Sequence, residues 1–151
     1  MSKFIDNNFT VVDEGFYDYS GVTEVSICYD GSIFQGKCRL HEEDRNKQSY
    51  LFGASIAYKR AIKKALKYEI KKTKEQKAYL KNFLNACVLS KKWNNKDDSA
   101  KVVYHQFNWV VKRLNNLMIE LAELEDDIYT SILQRDIVVK AIDRKKAKKT
   151  K

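Results

Sequence analysis

Val103, Phe107, Val110, Leu114, Leu117, Leu121, Leu124 and Ile128 recur in alternating steps of four and three without a fault. Apolar side chains at that spacing form a heptad seam along one side of an α-helix, and such a seam must be covered from water. Ser131 and Arg135 interrupt it, and Val138 and Ile142 restore it. As one helix, residues 100–142 would run roughly 65 Å at about 1.5 Å per residue. Tyr104, Val111 and Met118 form a second stripe beside the first, with Ile119 and Ala122 nearby. The apolar face is then wider than a two-stranded coil requires, and a bundle fits better. The absence of proline from all 151 residues agrees with long uninterrupted helices, because proline breaks helix interiors.

The cover for this seam comes from the preceding segment. From about Ser49, Leu51, Ser55, Tyr58, Ile62, Leu66 and Ile70 recur at three- and four-residue steps, while Arg60, Lys63, Lys64, Lys67 and Lys71 fill other faces. This is an amphipathic helix. Gly53 and Ala54 near its start are small enough to let it approach another layer closely. Thr73–Gln76 reads TKEQ, which fits a capping box and so a new helix start; equally, Thr73 and Lys77 can be weak positions in one continuous helix. Leu80, Leu84 and Cys87 or Val88 resume the stripe in either case. Asn94-Asn95 then reads as a stop, with Asp97, Asp98 and Ser99 as caps for the last helix. Helices over 50–92 match the length of 100–142 and can fold back along it as an antiparallel hairpin.

The first 48 residues have a different period. In ICYDGSIFQGKCRL (27–40), Val25, Ile27 and Tyr29 alternate with polar neighbours before Asp30-Gly31, and Phe34, Gly36, Cys38 and Leu40 alternate after it. Period two on both sides of Asp-Gly signals a β-hairpin, since glycine takes the positive φ that a tight turn requires. Cys38 then shares a face with Val25, Ile27 and Phe34, while Cys28 points the other way with Lys37 and Arg39. The two sulfurs can share neither a metal nor a disulfide. Phe9–Val12 allows a short strand before an acidic, tyrosine-rich stretch. The fold class expected is therefore α+β: a small N-terminal antiparallel sheet packed on long antiparallel helices, helix-dominated. It reads as one domain over 1–145, β-rich to residue 48 and helical beyond, with a basic disordered tail at 146–151.

Charge bears on partners. Residues 1–58 carry nine acidic and five basic side chains, a balance of −4, and 59–151 carry eleven and 24, a balance of +13, so the positive charge behind the net +9 gathers in the helical part. Such polarity raises a polyanion as partner. Arg60, Lys63, Lys64, Lys67, Lys71 and Lys74 on the first helix, with Arg144, Lys145 and Lys146 in the tail, are the candidate contacts to nucleic acid or another partner. Tyr58, Tyr68, Tyr79 and Trp93 are interleaved, as a single-strand binder would use them for stacking, although several fall at core spacing. Self-association through the eight seam residues, giving a homodimer, is also expected.

Catalytic signals are weak. His41-Glu42-Glu43-Asp44 are consecutive, and adjacent side chains rarely converge on one ion; no paired-His, Cys-x-x-Cys or phosphate-cradling glycine motif occurs. Neither metal nor cofactor is expected. His105 sits beside the seam without a partner. Glu120, Glu123, Glu125, Asp126 and Asp127 crowd one and a half turns; acid–base work would need a pocket, and pairing with the lysines of the preceding helix is the plainer account. An odd count of three cysteines suggests reduced thiols. The charge within Met1–Asp6 argues against a signal-peptide core, and no apolar run approaches the roughly 20 residues needed to cross a bilayer. A soluble, cytoplasmic, non-enzymatic protein is expected.

Residues 25–62 carry a resemblance. Asp30-Gly31 at a hairpin turn, Lys37-Cys38 closing the second strand, Glu43-Asp44 in an acidic loop, and Gly53, Ala57 and Arg60-Ala61 on the following helix resemble small accessory proteins of bacteriophages and prophages. Some such proteins inhibit bacterial defence systems. The resemblance implies a β-β-α start and a phage-encoded inhibitor. Its partner would be a host protein or ribonucleoprotein complex, such as a CRISPR effector, in the host cytoplasm. It brings no catalytic residues, and the long basic helical extension from Lys71 departs from it.

Overall fold

The computed structural model describes residues 9–17, 21–39, 47–89 and 98–149. Three strands, β1 (Thr10–Tyr17), β2 (Val22–Tyr29) and β3 (Ser32–Arg39), precede two helices, α1 (Lys47–Leu89) and α2 (Asp98–Lys149). The antiparallel sheet, in order β1-β2-β3, packs against the helices, and helix dominates. The chain divides into two compact units within the helices themselves, not at residue 48: residues 1–65 with 122–151, and residues 66–121.

In the first unit, Tyr29 pairs with Ser32 across Asp30-Gly31. Both turn residues have positive φ, 50° and 73°, the geometry of the type I′ turn that suits the right-handed twist of a hairpin. The register sets Thr23 opposite Cys38, Val25 opposite Gly36 and Ile27 opposite Phe34. Thr23, Val25, Ile27, Tyr29, Gly36 and Cys38 are buried, whereas Cys28 lies on the other face opposite Ile33. The two cysteines diverge as the alternation requires. β1 is longer than the Phe9–Val12 expected, because a bulge at Val12 resets the register and the strand then continues through Asp13 and Glu14 to Tyr17.

The sheet meets α1 at Gly36. A Cβ there would run into the Ala57 carbonyl and the Ala61 backbone nitrogen, so strand and helix touch backbone to backbone. The small residue that permits this is on the strand, and Ala57 and Ala61 answer it on the helix. Ile56, Ala57, Ala61, Ile62 and Ala65 are buried on α1, and Leu124 and Ile128 on α2. The two breaks in the α2 seam fall where that helix meets other elements. Ser131, 8% exposed, accepts a hydrogen bond from Lys59 Nζ at 2.9 Å. Arg135 Nη1 donates to the sulfur of buried Cys38 at 3.3 Å.

The second unit is a helix pair. Leu66, Ile70, Thr73 and Leu80 of α1 and Val110, Leu114 and Leu117 of α2 are buried. Helix α1 passes through Thr73 unbroken: the Thr73 hydroxyl donates to the Glu69 carbonyl one turn back, at 2.7 Å, instead of capping a new helix. The seam expected to join two copies is partly used inside the chain. Val110, Leu114, Leu117, Leu124 and Ile128 are buried, and Val103, Phe107 and Leu121 are half-buried, so five of the eight seam residues are covered within the chain. Helix α2 also continues to Lys149, so the tail expected to be disordered from 146 is helical as far as that residue; lysines at a helix C-terminus favour its dipole.

A candidate polyanion interface on helix α1

The cations of α1 fall into two groups. Near the sheet they are engaged. Arg60 Nη1 donates to the Lys37 carbonyl at 2.7 Å, Lys59 pairs with Asp127 at 3.1 Å and Lys63 with Glu125 at 3.4 Å. Two carboxylates of the acidic α2 cluster, Glu125 and Asp127, are thus matched to lysines of α1. These pairs are partly exposed, so each contributes at most about 1 kcal/mol, but they remove Arg60 and Lys63 from the free charge that the sequence suggested. Lys64, in the same unit, stays exposed.

In the second unit the group is free. Lys67, Lys71 and Lys74 are exposed, and Lys81 joins them. Among the described residues none of these four meets a carboxylate. At 100° per residue they fall within about 80° of arc, and 67 to 81 spans about 21 Å. Lys81 was not among the candidates from sequence, yet it lies seven residues beyond Lys74 and fourteen beyond Lys67, and that heptad spacing is its signal. Arg144, Lys145 and Lys146 are on α2, but their side chains lie outside the described residues, as do the His41–Asp44 cluster and Trp93.

Around this row the structure settles several other readings. Tyr58 and Tyr68 are half-buried, and Tyr68 is already engaged. Tyr79 is 71% exposed but lies about 125° round α1 from the centre of the row. Glu69, buried in the helix pair, accepts from Arg113 Nη2 at 3.0 Å, and the same guanidinium stands over the Trp109 ring at 5.6 Å. His105 is exposed, with its ring edge-on to Tyr104. Glu120 turns one buried oxygen inward without a hydrogen-bond partner. No three ligating side chains gather as a metal site among the described residues, and no described helix is long and apolar enough to cross a membrane. Compared with protein-family models, curated proteins and solved structures, the chain matches none of them.

Proposed function

We propose that the chain is a non-enzymatic binding protein, acting in the cytoplasm, that grips a nucleic acid through the phosphates along α1. One observation carries this reading: Lys67, Lys71, Lys74 and Lys81 stand exposed and unpaired in one row, in a chain of net charge +9. Ammonium groups held on a rigid helix neutralise phosphates and release their condensed counterions, which gives affinity that falls steeply with salt. The test is a mobility shift of a nucleic acid at two salt concentrations, with K67Q/K71Q/K74Q/K81Q beside the native chain. Binding at low salt that recedes at high salt and weakens at least tenfold in the variant is the expected result. If nothing shifts at low salt, or the variant shifts as well as the native chain, the reading fails.

A second reading is a phage-encoded inhibitor that occludes a protein surface of a host defence complex, a CRISPR effector for instance. The exposed aromatic side chains of the second unit favour it: Trp109 is 59% exposed and Phe83 46%, and tryptophan and tyrosine are the residues that anchor protein interfaces. It predicts inhibition of a purified effector that Trp109→Ala relieves and the lysine variant leaves intact.

A further inference from the structure

We infer that the lysine row is a reader of double helices, engaging the phosphate ridge of a duplex without regard to sequence; this rests on the nucleic-acid reading above and names its substrate class. A protein that holds a flexible single strand needs aromatic faces along the track, because stacking on bases supplies much of the affinity. The row has none. Between Lys67 and Lys81 its own stripe holds Lys71, Lys74 and Ala78. Tyr68 is half-buried and engaged, and Tyr79 and Phe83 lie about 125° and 165° round the helix from the centre of the row. Tyr68 and Tyr79, which looked interleaved in the sequence, are off the track in space.

Base reading is thinly provided for. Specific contacts in the major groove come mainly from arginine or lysine on guanine and from asparagine or glutamine on adenine, and lysines spent on phosphates carry no sequence information. The one arginine of α1, Arg60, gives a guanidinium nitrogen to the Lys37 carbonyl. Gln76 is exposed but sits on the far side of the helix from the lysines, about 175° from the row's centre, and the one exposed amide on the row's line is Asn85, about one turn beyond Lys81. What remains is a straight line of point charges about 21 Å long. A duplex presents one phosphate per 3.4 Å of axis on each strand, so a length of about 21 Å carries about six per strand, held in place by base pairing, and the line meets those on its own side. Ordering the lysine side chains costs the same against either partner, but the duplex is already rigid, whereas a single strand would have to be straightened as well.

The experiment is fluorescence anisotropy of the full chain with a 24-base-pair DNA duplex of arbitrary sequence and with a 24-mer of oligothymidylate, across a salt series. The inference expects the duplex to bind at least tenfold tighter, with a log–log salt slope of about −3.6 for four phosphate contacts. A second, unrelated duplex should bind within about threefold of the first, since lysine contacts to phosphate carry no sequence information. K67Q/K71Q, exposed positions whose helicity is checked by circular dichroism, should flatten the duplex slope by about 1.8. Oligothymidylate binding as tightly as the duplex would overturn the inference and leave the nucleic-acid reading standing. Binding of neither would bring down both, and a duplex slope unmoved in K67Q/K71Q would remove the row as the site.

Discussion

The two units are built from the same two helices, yet they treat identical side-chain types in opposite ways. In the first, a sheet lies against the helices as a third partner. There α1 buries Ile56, Ala57, Ala61, Ile62 and Ala65 on more than one side, and Lys59, Arg60 and Lys63 are drawn into ion pairs and a backbone hydrogen bond. In the second, each helix has only the other for cover. One stripe is buried, and Tyr79, Phe83, Val102, Tyr104, Trp109, Met118 and Ile119 stay exposed around it, with Lys67, Lys71, Lys74 and Lys81 free. A helix pair can bury one stripe of each member and no more, so any wider apolar face remains wet. Ile33, Tyr129 and Ile137 are exposed in the first unit too, so the difference lies in the cations of α1: mostly tied where three elements meet, mostly free where two do.

The largest expected effect that tests this contrast is in the sheet. Ile27 is fully buried, and Ile27→Ala should cost about 2–5 kcal/mol in urea denaturation by removing methyl groups and leaving a cavity. A loss under about 1 kcal/mol would mean that the sheet contributes little to the first unit. The middle effect is electrostatic. A double-mutant cycle on Lys63 and Glu125 should give a coupling of about 0.2–1 kcal/mol that shrinks with added salt; zero coupling at low salt would return Lys63 to the pool of free cations. The smallest effect is in the second unit, where Trp109→Gln should change stability by no more than about 0.5 kcal/mol, because the ring is mostly in water. A cost near that of Ile27→Ala would show that this flank is packed and erase the difference between the units.

Legibility in the sequence followed locality. Asp30-Gly31 signals a turn within four residues, so the hairpin and the opposite facing of Cys28 and Cys38 could be read from the sequence. The turn centre, Asp30-Gly31 or Gly31-Ser32, stayed open until the pairing of Tyr29 with Ser32 fixed the register. The α2 seam was equally plain, as was the match between the α2 carboxylates and the α1 lysines. What escaped depends on contacts distant in the chain. The purpose of Gly36 is visible only against Ala57, and the seam breaks at Ser131 and Arg135 make sense only beside Lys59 and Cys38. Asp13 and Glu14 concealed the length of β1 because a bulge disturbs the alternation that reveals strands. How much of the seam is covered within the chain was not legible: an apolar stripe shows that cover is needed and leaves open which helix supplies it. For the candidate site, three of the four lysines, Lys67, Lys71 and Lys74, were named from the sequence. Which were free and which were tied had to await the neighbouring helix.

The hydrogen bond from Arg135 to Cys38 links residues 97 positions apart, and the first unit takes its parts from both termini of the chain. On a ribosome, the hairpin and the start of α1 emerge well before the segment that completes their packing. At about 5–20 residues per second, synthesis from residue 65 to residue 135 takes roughly 4–14 s. Throughout that interval the nascent sheet holds Cys38 without its guanidinium, and a chain halted before residue 122 never closes the half of the molecule that was made first.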